Sequence, residues 1–306
     1  MTTTTRLVWL PFDPRELGGA PRGLRCEVVD PTREVPPSVS DVEFYVTPYS
    51  MGPSVADVLG DMTSLKVVQT LSAGVDNIRP RIPAGVTLCN GRGIHDTSTA
   101  ELALTLILTS LREVPRYVRQ QDQGQWRGGF TEALADKRVL IVGYGAIGEA
   151  IEARLLPFEC EVVRVARSGR EGVHAVGELP TLLPGADVVV LIVPLTDQTR
   201  GLVDADFLRR MKPGALLVNV ARGAVLDTAA LVGALHAGQI RAAVDVTDPE
   251  PPPADHPLWS APNLLISPHV GGASSAMWPR AYRLVRRQLE RFAAGEPLAN
   301  VMSGDY

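Results

Sequence analysis

Cysteine is scarce in this chain. Cys26, Cys89 and Cys160 are odd in number, widely spaced and set in largely apolar sequence, which argues against a disulfide framework and for reduced thiols in a cytoplasmic protein. Neither CxxC nor HExxH occurs, so no metal site is expected. Long apolar runs are also missing: the first, Leu7 to Leu10, stops at Pro11, too short for a signal-peptide core or a membrane span. Thirty Lys and Arg stand against 34 Asp and Glu, a formal net charge of -4, with no cluster long enough to track a phosphate backbone, and nucleic acid is not expected as a partner.

What the chain does have is the makings of two α/β domains. Its 45% hydrophobic and 21% charged residues are those of an ordinary globular protein. At 306 residues it exceeds the roughly 250 to 300 at which a single core stops growing. From Arg6 to Asn90 short apolar runs, Leu7 to Leu10, Glu43 to Val46, Leu65 to Leu71 and Val86 to Cys89, alternate with Pro-rich and polar stretches, predicting a small α/β unit. Thr97 or Ser98 is placed to cap a long helix reaching about Asp122, with a kink at Pro115. A stronger pattern opens at Arg138 and predicts strands near Val162 to Val165, Asp187 to Val193, Ala215 to Asn219, Ile240 to Val244 and Leu264 to Ile266, the signature of a doubly wound parallel sheet. A last amphipathic helix, about Ser275 to Ala293, lies outside that pattern. The expected division is therefore residues 1–96 plus 273–306 for one discontinuous domain and 97–272 for the other.

The apolar run Val139 to Val142 leads into Gly143-Tyr144-Gly145-Ala146-Ile147-Gly148 and then a helical segment, Glu149 to Leu156. GxGxxG alone is weak, but here it has the strand and helix that a dinucleotide site requires. Gly143 allows the tight turn, Gly145 admits the pyrophosphate and Gly148 lets helix and strand pack closely. The end of the second strand reads Ala166-Arg167-Ser168, and Ala166 lies 23 residues past Gly143, where NAD-binding folds place an acid for the ribose 2′-hydroxyl. Ala166 cannot accept those hydrogen bonds, whereas Arg167, with Ser168 and Arg170 as further donors, can pair with a 2′-phosphate. NADP(H) is the expected cofactor, with NAD(H) as the second choice.

Three further segments end apolar strand-like runs: Asn219 to Gly223, Asp245 to Glu250 and Ser267 to Gly271. They bring Arg222, Glu250 and His269 to where ligands bind in open α/β sheets, beyond the carboxyl ends of the strands. Taken in order, GYGAIG, VPLTDQT, MKPGALLVNVARGAVLDTAAL, AAVDVTDPEP and SPHVGG resemble the nicotinamide-dependent D-2-hydroxyacid dehydrogenase family, most specifically from Arg138 to Gly272. The resemblance implies two Rossmann-like domains with the active site in the cleft between them. It implies that Arg222 binds the substrate carboxylate and keto oxygen, that His269 is the general acid in reduction, and that Glu250 hydrogen-bonds His269 and favours its protonated form. Hydride delivery to a ketone creates an alkoxide, which both a positive charge and a proton donor stabilise. Ser72, Ala73, Gly74 and Val75 resemble the family's substrate-carboxylate loop. Asp245 resembles the residue that holds the nicotinamide carboxamide, and Val193, Pro194, Thr199, Val220, Ala221, Arg222, His269 and Gly271 match positions lining the cofactor.

The match has departures. Val193 stands where the family often carries His, and Asp248 shortens an acidic residue common before the catalytic Glu. His95 is read as a hinge hydrogen bond, with substrate contact as its alternative. Trp126 matches a Trp on the family's dimer-side loop, with plain packing as the alternative, and Trp278 either closes the pocket or anchors the last helix. The expected function is reduction of a small 2-oxo acid, such as glyoxylate or hydroxypyruvate, to the D-2-hydroxy acid by a homodimer. The alternatives are oxidation of another small anion such as phosphite, and a non-catalytic dinucleotide-sensing regulator.

Overall fold

The computed structural model describes residues 5–49 and 53–303. They form two compact units, one built from residues up to 95 together with those from 275 onward, the other from 96–274. Each is an α/β layer structure around a wholly parallel sheet. The strands of the first unit are β1 (Arg6–Leu10), β2 (Leu24–Val28), β3 (Val42–Val46), β4 (Val67–Gln69) and β5 (Thr87–Cys89). Those of the second are β6 (Arg138–Val142), β7 (Glu161–Ala166), β8 (His174–Ala175), β9 (Val188–Leu191), β10 (Leu216–Asn219), β11 (Arg241–Val244) and β12 (Leu264–Ile266). The α-helices described are α1 (Asp96–Leu111), α2 (Val114–Asp122), α3 (Ala146–Leu155), α4 (Leu179–Leu182), α5 (Ala205–Arg210), α6 (Thr228–His236) and α7 (Met277–Ala294). None is long and apolar enough to cross a membrane.

In the first unit the sheet order is β2-β1-β3-β4-β5. Successive residues of a strand face opposite sides, and both sides are buried here. Val8, Leu10, Phe44, Val46 and Cys89 pack with Met277, Ala281, Val285, Leu289 and Phe292, the apolar stripe of α7. Leu7, Trp9, Val42, Tyr45, Val68 and Leu88 pack with Val55, Val58 and Leu59 of the 3-10 segment Pro53–Gly60. Burial raises the Cys89 thiol to about 11, so this cysteine acts as a small hydrophobe.

In the second unit the order is β12-β11-β10-β9-β6-β7-β8. The chain starts at the centre with β6, builds outward through β7 and β8, then returns to the other side of β6 with β9, the reversal that opens a crevice at the carboxyl edge. Val139, Ile141, Val188, Val190, Leu216 and Val218 face a layer that includes Ala103 and Ile107 of α1 and Ile151 and Leu155 of α3. Leu140, Val142, Val189, Leu191 and Leu217 face Phe207 and Leu208 of α5 and Leu231 and Leu235 of α6. Because every strand is parallel, the segments after β6, β7, β9, β10, β11 and β12 all emerge at one edge.

Some elements differ from the sequence reading. The helix expected to run unbroken to Asp122 is two helices: Glu113 takes a left-handed backbone, φ 51°, which a right-handed helix cannot continue through. Pro115 then sits in the first turn of α2, where its missing N–H costs nothing, so it starts a helix and does not kink one. The helix after the glycine turn begins at Ala146, three residues earlier than expected. Strand β2 carries no sequence signal, because on this edge strand only Leu24 is buried and its sequence shows no apolar run; β8 is only two residues long.

Candidate active site

The glycine turn after β6 is built by packing. Gly143 has φ +111°, and a Cβ there would lie 2.5 Å from the Ile192 carbonyl. A Cβ on Gly148 would lie 2.5 Å from the Gly143 carbonyl oxygen, so α3 approaches the turn as closely as backbone allows. Gly145 is different: a Cβ there meets nothing within 4 Å. It precedes the first turn of α3, Ala146, Ile147 and Gly148, whose backbone N–H groups have no partner within the helix. Open space facing a helix N-terminus of this kind fits a dinucleotide pyrophosphate.

Around this turn lies a network absent from the sequence reading. The Tyr144 hydroxyl donates to the buried Glu152 carboxylate of α3, and Arg164 of β7 donates to both oxygens of the same carboxylate. The hydrogen bond from Arg164 is the main cause of a Glu152 carboxyl held below its ordinary range. Arg170 crosses the Tyr144 ring, 5.7 Å from its centroid, and donates to the Tyr144 carbonyl at 2.9 Å. Ala166 ends β7, and Arg167 and Ser168 follow it, exposed. After β9, Val193 packs on the core and Pro194 is exposed; the Thr199 hydroxyl donates to the Pro194 carbonyl at 2.6 Å, so Thr199 shapes this loop.

The residues expected to carry chemistry come from adjacent strands in register, Asn219 beside Val244 and Val244 beside Ile266. Val220 and Ala221 are buried as the chain leaves β10, and the Asn219 side chain accepts from the Ala221 N–H at 3.0 Å and donates to the Arg222 carbonyl at 3.1 Å. That fixes the backbone of Arg222, whose guanidinium also donates to the Ala221 carbonyl at 2.8 Å. Asp245, 3% exposed, accepts from the Ser267 hydroxyl at 2.6 Å, the Val270 N–H at 2.9 Å and the Gly271 N–H at 2.8 Å. Its carboxylate therefore organises the loop that carries His269, a task the sequence did not disclose. His269 itself adopts a left-handed backbone, φ 53°, held by its N–H donating to the Asp245 carbonyl at 2.8 Å.

His269 Nδ1 lies 2.5 Å from Glu250 Oε1. Burial alone would raise the Glu250 carboxyl, but the His269 hydrogen bond and charge, the Thr247 N–H and the Arg222 charge outweigh it and hold the group below its usual range. An ionised carboxylate only accepts, so Nδ1 carries the proton that points at Glu250. Arg222, Glu250 and His269 are thus brought to one sheet edge and coupled electrostatically.

In the first unit, the segment from Ser72 to Val75 follows β4 and is stitched to its own unit. The Thr70 hydroxyl donates to the Ser72 carbonyl and the Ser72 hydroxyl to the Gly74 carbonyl, both at 2.8 Å. His95 Nε2 is bonded to the Leu71 carbonyl at 2.7 Å in a buried position. Trp278 stacks on Tyr282 at 5.6 Å and meets Phe12 edge-on at 6.2 Å, anchoring the start of α7. Trp126 and Phe130 are fully exposed, so the packing alternative for Trp126 does not hold within this chain.

Comparison with known proteins places this geometry. The sequence profile described as D-isomer specific 2-hydroxyacid dehydrogenase, NAD binding domain, matches residues 104–271. The glyoxylate reductase/hydroxypyruvate reductase of Homo sapiens is 34% identical over 256 residues, covering 77% of this chain and 76% of the relative. A D-isomer specific 2-hydroxyacid dehydrogenase from Xanthobacter autotrophicus Py2, solved with NADPH and MES, superposes with a TM-score of 0.82 at 29% identity, over 98% of each chain. An NADPH-dependent glyoxylate/hydroxypyruvate reductase from Sinorhizobium meliloti, solved with NADP and sulfate, also gives 0.82, at 28% identity over 97% of each chain. With its two parallel sheets and its glycine turn, the chain belongs to the D-isomer specific 2-hydroxyacid dehydrogenase family and is an NAD(P)-dependent oxidoreductase.

Proposed function

We propose that this protein reduces a small 2-oxo acid of the glyoxylate or hydroxypyruvate kind to the D-2-hydroxy acid, using NADPH in preference to NADH. The observation that carries the reading is the 2.5 Å pair of His269 and Glu250 on the same sheet edge as Arg222. The nicotinamide, when bound, supplies the hydride. Glu250 keeps the His269 Nδ1 proton in place, which makes Nε2 the ring nitrogen that hands a proton to the developing alkoxide. Arg222 binds the substrate carboxylate and polarises the keto oxygen, and its charge counts most as negative charge develops. Gly74 and Val75 offer backbone N–H groups to the carboxylate. Arg167 and Ser168, at the end of a second strand that lacks an acid, favour the 2′-phosphate of NADPH.

On this reading residues 96–274 hold the dinucleotide and the other unit holds the substrate loop. The fully exposed Trp126 and Phe130 support a homodimer that covers them, and the unpaired thiols Cys26, Cys89 and Cys160 support a cytoplasmic location. The test is His269→Ala. Turnover of glyoxylate or hydroxypyruvate should fall by roughly 10²- to 10⁴-fold while NADPH still binds, read as quenching of tryptophan fluorescence; unchanged turnover would overturn the assignment.

A further inference from the structure

The peptide groups of the loop at Ser72 to Val75 are oriented from behind. A trans peptide points its C=O and its N–H in opposite directions, so whatever holds the Ala73 carbonyl also aims the Gly74 N–H. Asn90 holds it: its Nδ2 donates to the Ala73 carbonyl at 2.9 Å. The next peptide, which carries the Val75 N–H, is held by the Ser72 hydroxyl on the Gly74 carbonyl.

Asn90 is itself braced. It is 8% exposed, its Oδ1 accepts from the Arg92 N–H at 3.1 Å and its backbone N–H donates to the Asn300 carbonyl at 3.1 Å. Its carbonyl accepts from Gln69 Nε2 at 3.0 Å and from Asn300 Nδ2 at 3.3 Å. Gln69 is bonded in turn to the fully buried Gln288 of α7 at 2.8 Å. Gly91 completes the brace, since its N–H donates to the Ser72 carbonyl at 2.7 Å and a Cβ there would lie 2.5 Å from the Leu71 carbonyl oxygen.

We propose that Asn90 is a positioning residue for substrate, setting the Gly74 N–H that receives the 2-oxo acid carboxylate, with Asn300 reinforcing it from the chain beyond α7. The inference rests on the functional reading above. A preset donor lowers the cost of binding the carboxylate, so its loss appears in KM for the 2-oxo acid. The experiment is steady-state kinetics of Asn90→Ala with glyoxylate and hydroxypyruvate at saturating NADPH, beside the NADPH Kd from fluorescence and the Tm. KM for both acids should rise about tenfold, as for one lost preorganised hydrogen bond, with kcat and NADPH Kd within about twofold of wild type. If Asn90→Ala does not fold, Asn300→Gly tolerates the φ of 55° while removing the donor to the Asn90 carbonyl. It should raise the same KM by a smaller factor. An unchanged KM in a folded variant overturns this inference alone, whereas a wild type that turns over no 2-oxo acid overturns the functional reading and this inference with it.

Discussion

Gly223 and Thr247 touch backbone to backbone: a Cβ on Gly223 would lie 1.9 Å from the Thr247 carbonyl oxygen. One comes from the loop after β10 that carries Arg222, the other from the loop after β11 that leads to Glu250. The contact locks the two loops together, and with Asp245 ordering the loop after β12, three separate chain segments present Arg222, Glu250 and His269 as one rigid edge. Gly223→Ala should therefore force the loops apart. The expected outcome is a loss of roughly 1–3 kcal/mol in stability, as for overpacking, and a kcat lowered by about 10²-fold through misplacement. Thermal denaturation and steady-state rates check both, and NADPH affinity should be retained.

Glu250→Gln keeps an acceptor for His269 Nδ1 but removes the negative charge. We expect kcat to fall by roughly 10²-fold. The folded-state carboxyl lies below its ordinary value of 4.5, so its ionised form stabilises the folded protein above that value. That stabilisation is lost as pH falls through the lower folded value. Urea titrations across pH 3 to 7 should then show wild type more stable than Glu250→Gln at the upper end, with the difference closing in acid.

Much of the site was legible in the sequence because its signals are local. Gly143 and Gly148 are required by contacts within a dozen residues of chain or one neighbouring strand, and short β-rich runs after a glycine turn disclose parallel strands. What escaped depends on partners far away in sequence. Nothing in the run after Val244 says that Asp245 will be spent on Ser267, Val270 and Gly271, and Glu152 reads as an ordinary helical charge until Arg164 and Tyr144 are folded against it. Glu113 carries no signal for a left-handed turn, as a glycine or asparagine would, so α1 and α2 read as one helix. Strand β2 lies at a sheet edge, where burial on neither face is complete and the apolar pattern vanishes.

The Glu152 network makes its own prediction. Glu152 is 5% exposed and paired with Arg164, whose side chain is 35% exposed. Glu152→Gln should destabilise the protein by roughly 1–3 kcal/mol, less than a fully buried pair because Arg164 keeps contact with water. As the Glu152 carboxyl is lowered in the folded protein, the difference from wild type should be full at neutral pH and shrink in acid. Differential scanning calorimetry at pH 7 and pH 4 measures it.

Cofactor choice is predicted to reside at the end of β7. Arg167→Ala should weaken NADPH binding by about 10- to 100-fold, the range for losing a charge-assisted contact to phosphate, and leave NADH affinity nearly unchanged. Fluorescence titration with each cofactor separates the two effects, and equal losses for both would assign Arg167 a structural role.

The most direct measurement is the initial rate of NADPH and of NADH oxidation with glyoxylate, hydroxypyruvate, pyruvate and phenylpyruvate, followed by absorbance. Faster turnover with NADPH on glyoxylate or hydroxypyruvate, with the D-hydroxy acid as product where the product is chiral, is the predicted result. Oxidation of neither cofactor by any of the four acids would contradict the account.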